Sequence, residues 1–302
     1  MSTCAGHTGA SGTGAADPLL ARTRAELQAV RDRLGRPLVL VPTMGALHQG
    51  HRALLRRARE MSMPNGCVVV SVFVNPLQFG AGEDFGRYPR ALERDLAACA
   101  EEGVAAVFAP SREEMYPEEP LITVDPGPVG RLLEGSSRPG FFGGVLTVVL
   151  KLFHIAAPDV AVFGQKDAQQ LALVRRMTAD LDLDVHIAAV PIVRDPDGLA
   201  VSSRNVYLSP EERSTALALS RALQAGAAGS GAAGVLAAAG SVLDKAAAAD
   251  PPLALDYLAL VDPVTFTAVG DRYEGPALLL VAARAGATRL IDNAQVTLAG
   301  RP

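Results

Sequence analysis

The chain has 302 residues, 49% of them hydrophobic and 20% charged, the balance of a globular protein with room for a sizeable core and two domains. Its formal net charge is −4 and it has no long basic run, which argues against a surface built to hold nucleic acid. No apolar run reaches the roughly 20 residues that span a bilayer. Cys4, Cys67 and Cys99 form no Cys-x-x-Cys pair, so neither a zinc knuckle nor a disulfide framework is indicated.

Residues 1–16, rich in Gly, Ala, Ser and Thr, lack the basic and apolar regions of a signal peptide and read as a disordered tail. Together with thiols placed in apolar runs, this points to a cytoplasmic, reducing compartment. Asp17-Pro18 looks like a helix start, with Leu19, Leu20, Leu27, Val30 and Leu34 as its apolar side and Gly35 as its stop. Residues 38–41 form a short apolar run of strand character. Pro42 to Gly45 break it, and Leu54, Leu55, Ala58 and Met61 then recur with helical period. A second buried strand is expected over 67–74, ending at Asn75-Pro76. A helix carrying Leu92, Leu96 and Cys99 follows, and then a strand over 104–109.

Residues 110–142 are irregular, with a possible strand over 121–124, and 145–155 are apolar all round, as in a buried helix. A fourth strand over 159–163 leads into Gly164-Gln165-Lys166-Asp167 and a helix to about Asp180; a fifth strand covers 184–193. Nearly continuous apolar strands separated by helices indicate α/β architecture, a doubly wound parallel sheet covered on both faces. Beyond Gly198 the character changes. Ser209-Pro210-Glu211-Glu212 opens a helix, glycines in 225–240 mark a turn between two helices, and strand-like runs at 253–261, 277–283 and 288–291 complete a smaller α+β unit. The division expected is 17–194 and 195–302.

In a doubly wound sheet, ligands bind beyond the carboxyl ends of the strands. Four polar clusters fall there: His48 and His51; Asn75 and Gln78; Gly164, Lys166, Asp167 and Gln170; and Ser202, Ser203 and Arg204. Each alone fits an ordinary turn, cap or solvated loop, but together at one edge they describe a site for a polyanion. Gly50 lets the backbone approach closely, and two imidazoles at a helix start suit phosphate. No Walker A loop, dinucleotide Gly-x-Gly-x-x-Gly or Gly-x-Ser-x-Gly elbow is present. The remaining groups stabilise charge building on a phosphate, as in attack on the α-phosphate of ATP.

The segment Pro42-Thr43-Met44-Gly45-Ala46-Leu47-His48-Gln49-Gly50-His51 resembles the signature of the pantothenate synthetase (pantoate–β-alanine ligase) family. Phe73-Val74-Asn75-Pro76-Leu77-Gln78-Phe79, Tyr88-Pro89-Arg90, Arg138-Pro139-Gly140, Gly164-Gln165-Lys166-Asp167 and Ser202-Ser203-Arg204-Asn205 resemble it in the same order, across about residues 20–295. His-x-Gly-His alone marks only the wider nucleotidyltransferase superfamily. The resemblance implies a Rossmann-like N-terminal domain, a C-terminal lid and a homodimer. The reaction it implies uses ATP and Mg²⁺ to join pantoate to β-alanine through a pantoyl adenylate.

By the same resemblance ATP lies against Met44 to His51 (Met44, Gly45, Ala46, Leu47, His48, Gln49, Gly50, His51), Gly164, Gln165, Lys166, Asp167, Val193, Val201, Ser202, Ser203 and Arg204. His51 is implied as proton donor, with His48, Lys166 and Arg204 also in the chemistry. Gln78 and Gln170 are implied to hold pantoate and β-alanine, helped by Asn75, Tyr88 and Arg138; no dedicated protein metal ligands are assigned. The family usually has His at Phe141 and an aromatic residue at Ala168, departures that bear on packing near the site. The rival readings are another nucleotidyltransferase of the superfamily, which has no use for the Gln78–Gln170 pair, and a nucleotide-sensing module, which needs no His51.

Overall fold

The computed structural model describes residues 16–80 and 84–299, so the tail expected over 1–16 lies almost wholly outside the described residues. In chain order the elements are β1 (Leu19–Ala21), α1 (Arg24–Arg31), β2 (Leu38–Thr43), α2 (Gln49–Ser62), β3 (Cys67–Val72), α3 (Leu92–Glu101), β4 (Ala106–Phe108), α4 (Arg112–Met115), α5 (Glu134–Ser137), α6 (Phe141–Ala156), β5 (Val160–Gly164), α7 (Ala168–Asp180) and β6 (His186–Val190). The chain continues with α8 (Pro210–Ala216), α9 (Ala218–Ala227), α10 (Gly231–Ala247), β7 (Leu253–Val261), β8 (Gly275–Ala285) and β9 (Thr288–Leu298).

The first six strands form one parallel sheet in the order β1-β4-β3-β2-β5-β6. Its strands are apolar on both sides because both faces are covered. Leu38, Leu40, Val69, Phe108 and Phe163 point into a core shared with α1, α6 and α7. The alternating Val39, Val41, Val68, Val70, Val107 and Val162 meet Leu55 and Ala58 of α2 and Cys99 of α3. The chain leaves β2 toward β3 and β4, then returns to place β5 on β2's other side. That reversal opens a crevice at the carboxyl ends of β2 and β5, where ligands bind in such sheets.

The second sheet is antiparallel, β7-β8-β9. Ala277, Leu279, Val281 and Ala283 of β8 face α9 and α10. Leu278 and Leu280 join Val261 and Phe266 on the other face and meet Val129, Leu133, Ala168 and Ala172 of the N-terminal part. One of the two departures from the family pattern, Ala168, therefore sits in the apolar seam between the sheets.

Three expectations change. The helix expected from Asp17-Pro18 starts instead at Thr23, whose hydroxyl accepts from the Glu26 amide while the Glu26 carboxylate accepts from Thr23 N–H. This reciprocal cap satisfies two end donors, and Leu19 to Ala21 are released to pair with β4 as an edge strand, Leu19 N–H donating to Ala105 O at 3.0 Å. Residues 121–124 belong to neither sheet, and Leu121 and Ile122 are 98% and 87% exposed. The strand expected over 184–193 pairs only over His186–Val190, because the chain then turns into the site at Pro191. No helix of the described residues is long and apolar enough to cross a membrane.

Candidate active site

The organising turn between β2 and α2 is held by two devices. Gly45 and Ala46 both have positive φ, +81° and 53°. Behind them Asp95 of α3, 2% exposed, accepts from the Ala46 amide at 3.0 Å and the Leu47 amide at 2.8 Å. A Cβ on Gly45 would lie 2.7 Å from that carboxylate, so only glycine fits. Burial pushes the Asp95 carboxyl above the usual range, opposed by these two amide hydrogen bonds. Asp95 is a site residue the sequence reading missed, although a carboxylate between Leu92, Leu96 and Cys99 on the apolar side of a helix was a legible signal.

His48 caps α2. Its Nδ1 accepts from Gly50 N–H at 3.1 Å, and Nδ1 of His51 accepts from His48 N–H at 3.3 Å. The rings lie 4.0 Å apart between centroids, and a Cβ on Gly50 would meet His48 Cε1 at 2.9 Å. With both Nδ1 atoms used as acceptors, each neutral ring carries its proton on Nε2. Burial, then the nearby Lys166, lowers the His48 pKa to about 4; burial, then His48 itself, lowers that of His51 to about 3. Two neutral N–H donors thus stand side by side at a helix start.

They line a cavity of about 240 Å³ beyond β2 and β5. Met44, Gly164, Lys166, Asp167, Val193, Val201, Ser202, Ser203 and Arg204 line it too, as do Gln78, Gln170, Tyr88 and Arg138. Members of all four polar clusters of the sequence therefore meet in one place. A larger cavity of about 500 Å³ between the two sheets shares Lys166, Asp167, Gln170, Arg138, Phe141, Ser202 and Arg204 with it. Of the other expected residues, Gly45, Ala46 and Leu47 form the turn, Gln49 is exposed on α2, and Gln165 contributes backbone.

Asn75 is buried behind Gln78 and does not line the cavity. Its Nδ2 donates to Gln78 Oε1 at 3.1 Å and to Gly144 O at 3.0 Å, while its Oδ1 accepts from Tyr116 OH at 3.0 Å. Gln78 Oε1 being occupied, its NH₂ faces Met44 Sδ, 3.0 Å away, and the cavity. Tyr116, unremarked in the sequence, thereby sets which way two amides point. Phe141 carries the Arg138 guanidinium over its ring, 3.7 Å from the centroid. That is a packing and cation–π contact made by the ring face. Among the described residues no group of three or more His, Cys, Asp or Glu is placed to hold a metal ion.

The family model for pantoate–β-alanine ligase matches residues 19–295. The chain belongs to that family. It is 63% identical to the pantothenate synthetase of Thermobifida fusca, over 93% of this chain and 96% of the relative. The crystal structure of pantothenate synthetase from Thermus thermophilus superposes with a TM-score of 0.84 at 50% identity, covering 91% of this chain and 98% of that one. The Francisella tularensis pantoate–β-alanine ligase, crystallised in complex with beta-gamma ATP and β-alanine, gives a TM-score of 0.74 at 31% identity, over 92% and 97% of the two chains.

For a pantoate–β-alanine ligase, the neutral histidines make a distinct pH prediction. The kcat/KM profile reports groups of the free enzyme, and here it is expected to show no limb near pH 6.5. A limb there that disappears in His48→Gln or His51→Gln would overturn the neutral assignment. Stability follows the same shifts. The unfolded chain takes up these protons as pH falls through about 6.5, whereas the folded rings do so only around 4 and 3. The histidines' contribution to stability is therefore complete above about pH 6.5 and is lost as pH falls toward 3.

Proposed function

We propose that this chain condenses pantoate with β-alanine using ATP, through an enzyme-bound pantoyl adenylate, and releases AMP and pyrophosphate. One observation carries the reading: paired Nε2–H donors, Lys166, Ser202, Ser203 and Arg204 share a cavity with the neutral amides Gln78 and Gln170. The cationic and hydroxyl groups suit the triphosphate. The glutamines can hydrogen-bond the hydroxyls and carboxylate of pantoate without quenching that carboxylate as a nucleophile. Its oxygen attacks the α-phosphate, the bond to pyrophosphate breaks, and the charge gathering on the phosphoryl oxygens meets His48, His51 and Lys166. The amine of β-alanine then attacks the acyl carbon, the C–N bond forms, a proton leaves the amine and AMP departs. In this scheme His51, its Nδ1 taken by the His48 amide, offers Nε2–H to the phosphoryl oxygens as a hydrogen-bond donor.

Mg²⁺ in this reading enters on the phosphates of ATP, as this strongly hydrated cation commonly does. Asp167, which lines the cavity beside Lys166, is the carboxylate that fits it. There it would supply neutralisation of phosphate charge, with Asp167 holding it beside the ammonium of Lys166. Two units divide the work. Residues 17–194 carry the sheet with the nucleotide and pantoate groups, and 195–302 form the covering unit, a division supported by separate cores drawn from residues 21–190 and 199–298. A homodimer in the cytoplasm completes the proposal. It is supported by the exposed Leu121–Ile122 pair, an apolar strip that a second copy would cover, and by the free, buried thiols of Cys67 and Cys99. Sedimentation equilibrium reads the dimer directly.

The deciding experiment is exchange of labelled pyrophosphate into ATP. Exchange is expected with pantoate alone, without β-alanine, because the adenylate forms in the first half-reaction. No exchange with pantoate, but exchange with a nucleotide substrate, would move the chain to another transferase of the superfamily.

A further inference from the structure

Lys166 stands on a 3₁₀ turn, Gln165–Asp167, between β5 and α7. The Gln165 and Lys166 carbonyls of that turn are taken by a single side chain from the other sheet. Asn293 of β9, 5% exposed, donates from Nδ2 to Gln165 O at 2.9 Å and to Lys166 O at 3.0 Å. A primary amide has two N–H bonds, and both are used here. Beside it Asp292, 3% exposed, accepts Asn293 N–H at 2.8 Å and takes both arms of Arg194, at 2.6 and 3.0 Å. Arg194 follows Val193 and bridges back to Ala200, so the segment bearing Val193 and Val201 is tied to the same point of β9. Two adjacent residues of the C-terminal sheet thus fix two separate walls of the cavity.

We propose that Asn293 is a positioning residue for the adenylating half-reaction, holding the Lys166 turn so that the ammonium meets the charge developing on the α-phosphate. The proposal rests on the ligase reading above. Docking of the two units does not depend on Asn293, because the apolar seam around Phe266 and the paired Arg289 and Glu134 already join them. What Asn293 adds is register. The amide ties the Gln165 and Lys166 carbonyls of this single turn to β9, and catalysis by a placed charge falls steeply when the charge is displaced by an ångström. The C-terminal sheet is then part of the active site and not only its cover.

The test is a double-mutant cycle between Asn293→Ala and Lys166→Met, read by pantoate-dependent ATP–pyrophosphate exchange with melting temperature measured alongside. Asn293→Ala is expected to lower kcat for exchange about tenfold or more, with KM for pantoate within about twofold, the signature of an interaction made in the transition state. In the Lys166→Met background the same substitution is expected to cost less than about threefold, because a residue acting through Lys166 has nothing left to place. Asn293→Asp, which keeps the shape and removes the donors, is expected to fall with the alanine variant. If Asn293→Ala does not fold, Asn293→Ser, which retains a single donor, takes its place in the cycle. Additive losses in the double variant, or wild-type exchange in Asn293→Asp, would overturn the proposal. Absence of pantoate-dependent exchange in the wild-type protein would instead overturn the ligase reading, a distinct result.

Discussion

Replacing His51 with alanine is expected to lower kcat and kcat/KM together by about 10²–10³, the usual effect of removing one preorganised donor from a site of developing charge. The structure gives the reason for expecting both constants to fall. The ring is neutral and its Nδ1 is fixed by the His48 amide, so Nε2–H is aimed before substrate arrives. In the proposed reaction a neutral donor gains little from a ground-state phosphate that Lys166 and Arg204 would already hold, and more as charge accumulates on the oxygens in flight. The substitution also removes one half of the cap on α2, a stability loss of about 1 kcal/mol, which circular dichroism can separate from the kinetic loss. His51→Gln, whose side-chain amide can place an N–H near the Nε2 position, is expected to recover part of the rate. Steady-state kinetics showing only a raised KM for ATP would reduce His51 to a ground-state contact.

Glu134→Ala is expected to cost about 3 kcal/mol of stability, at the lower end of what breaking a buried ion pair costs. Glu134 of α5 takes both arms of Arg289 from β9, at 2.7 and 2.6 Å, and accepts Tyr257 OH from β7 at 2.8 Å. The two charged side chains are only 10% and 15% exposed. Removing the carboxylate strands a largely buried guanidinium and the Tyr257 hydroxyl at once. The lower end applies because Arg289 keeps Asp256, 2.6 Å away and more exposed. The pair holds Arg289 firmly in its charged form. The check is chemical denaturation of the variant beside Glu134→Gln, which retains the shape and one acceptor. A loss under about 1 kcal/mol for alanine, the range of a surface pair, would show that the seam is open to water and that the network does not hold the two sheets together.

The strand–turn–helix over residues 38–62 and the parallel sheet were legible in the sequence because their causes are local. A strand covered on both faces must be apolar at every position, and a helix covered on one face repeats its apolar residues at three to four, so burial writes itself into neighbouring residues. Asp159–Phe163 and Gln165–Lys166–Asp167 could be placed for the same reason, and strand polarity then put every polar cluster at one edge. The reading failed where two local signals competed. Asp17-Pro18 offered one cap and Thr23–Glu26 a better, reciprocal one, and pairing with β4 claimed the leucines between them. Residues 121–124 have strand composition but find no partner strand in either sheet.

By itself the sequence determined the fold class and the chemistry of the groups that meet at the carboxyl edge of the sheet, since residue type and local period carry both, and it pointed to the family through the resemblance of its ordered motifs. Only the tertiary structure decided how those groups are aimed. Asp95 holds the Ala46 amide across 49 residues of chain, Asn293 holds the Lys166 carbonyl across 127, and Arg289 meets Glu134 across 155. A hydrogen bond depends on where two atoms lie in space and leaves no period in the residues around either one. The tautomers of His48 and His51, the direction of the Gln78 amide and the register of the Lys166 turn therefore exist only once the two sheets have packed.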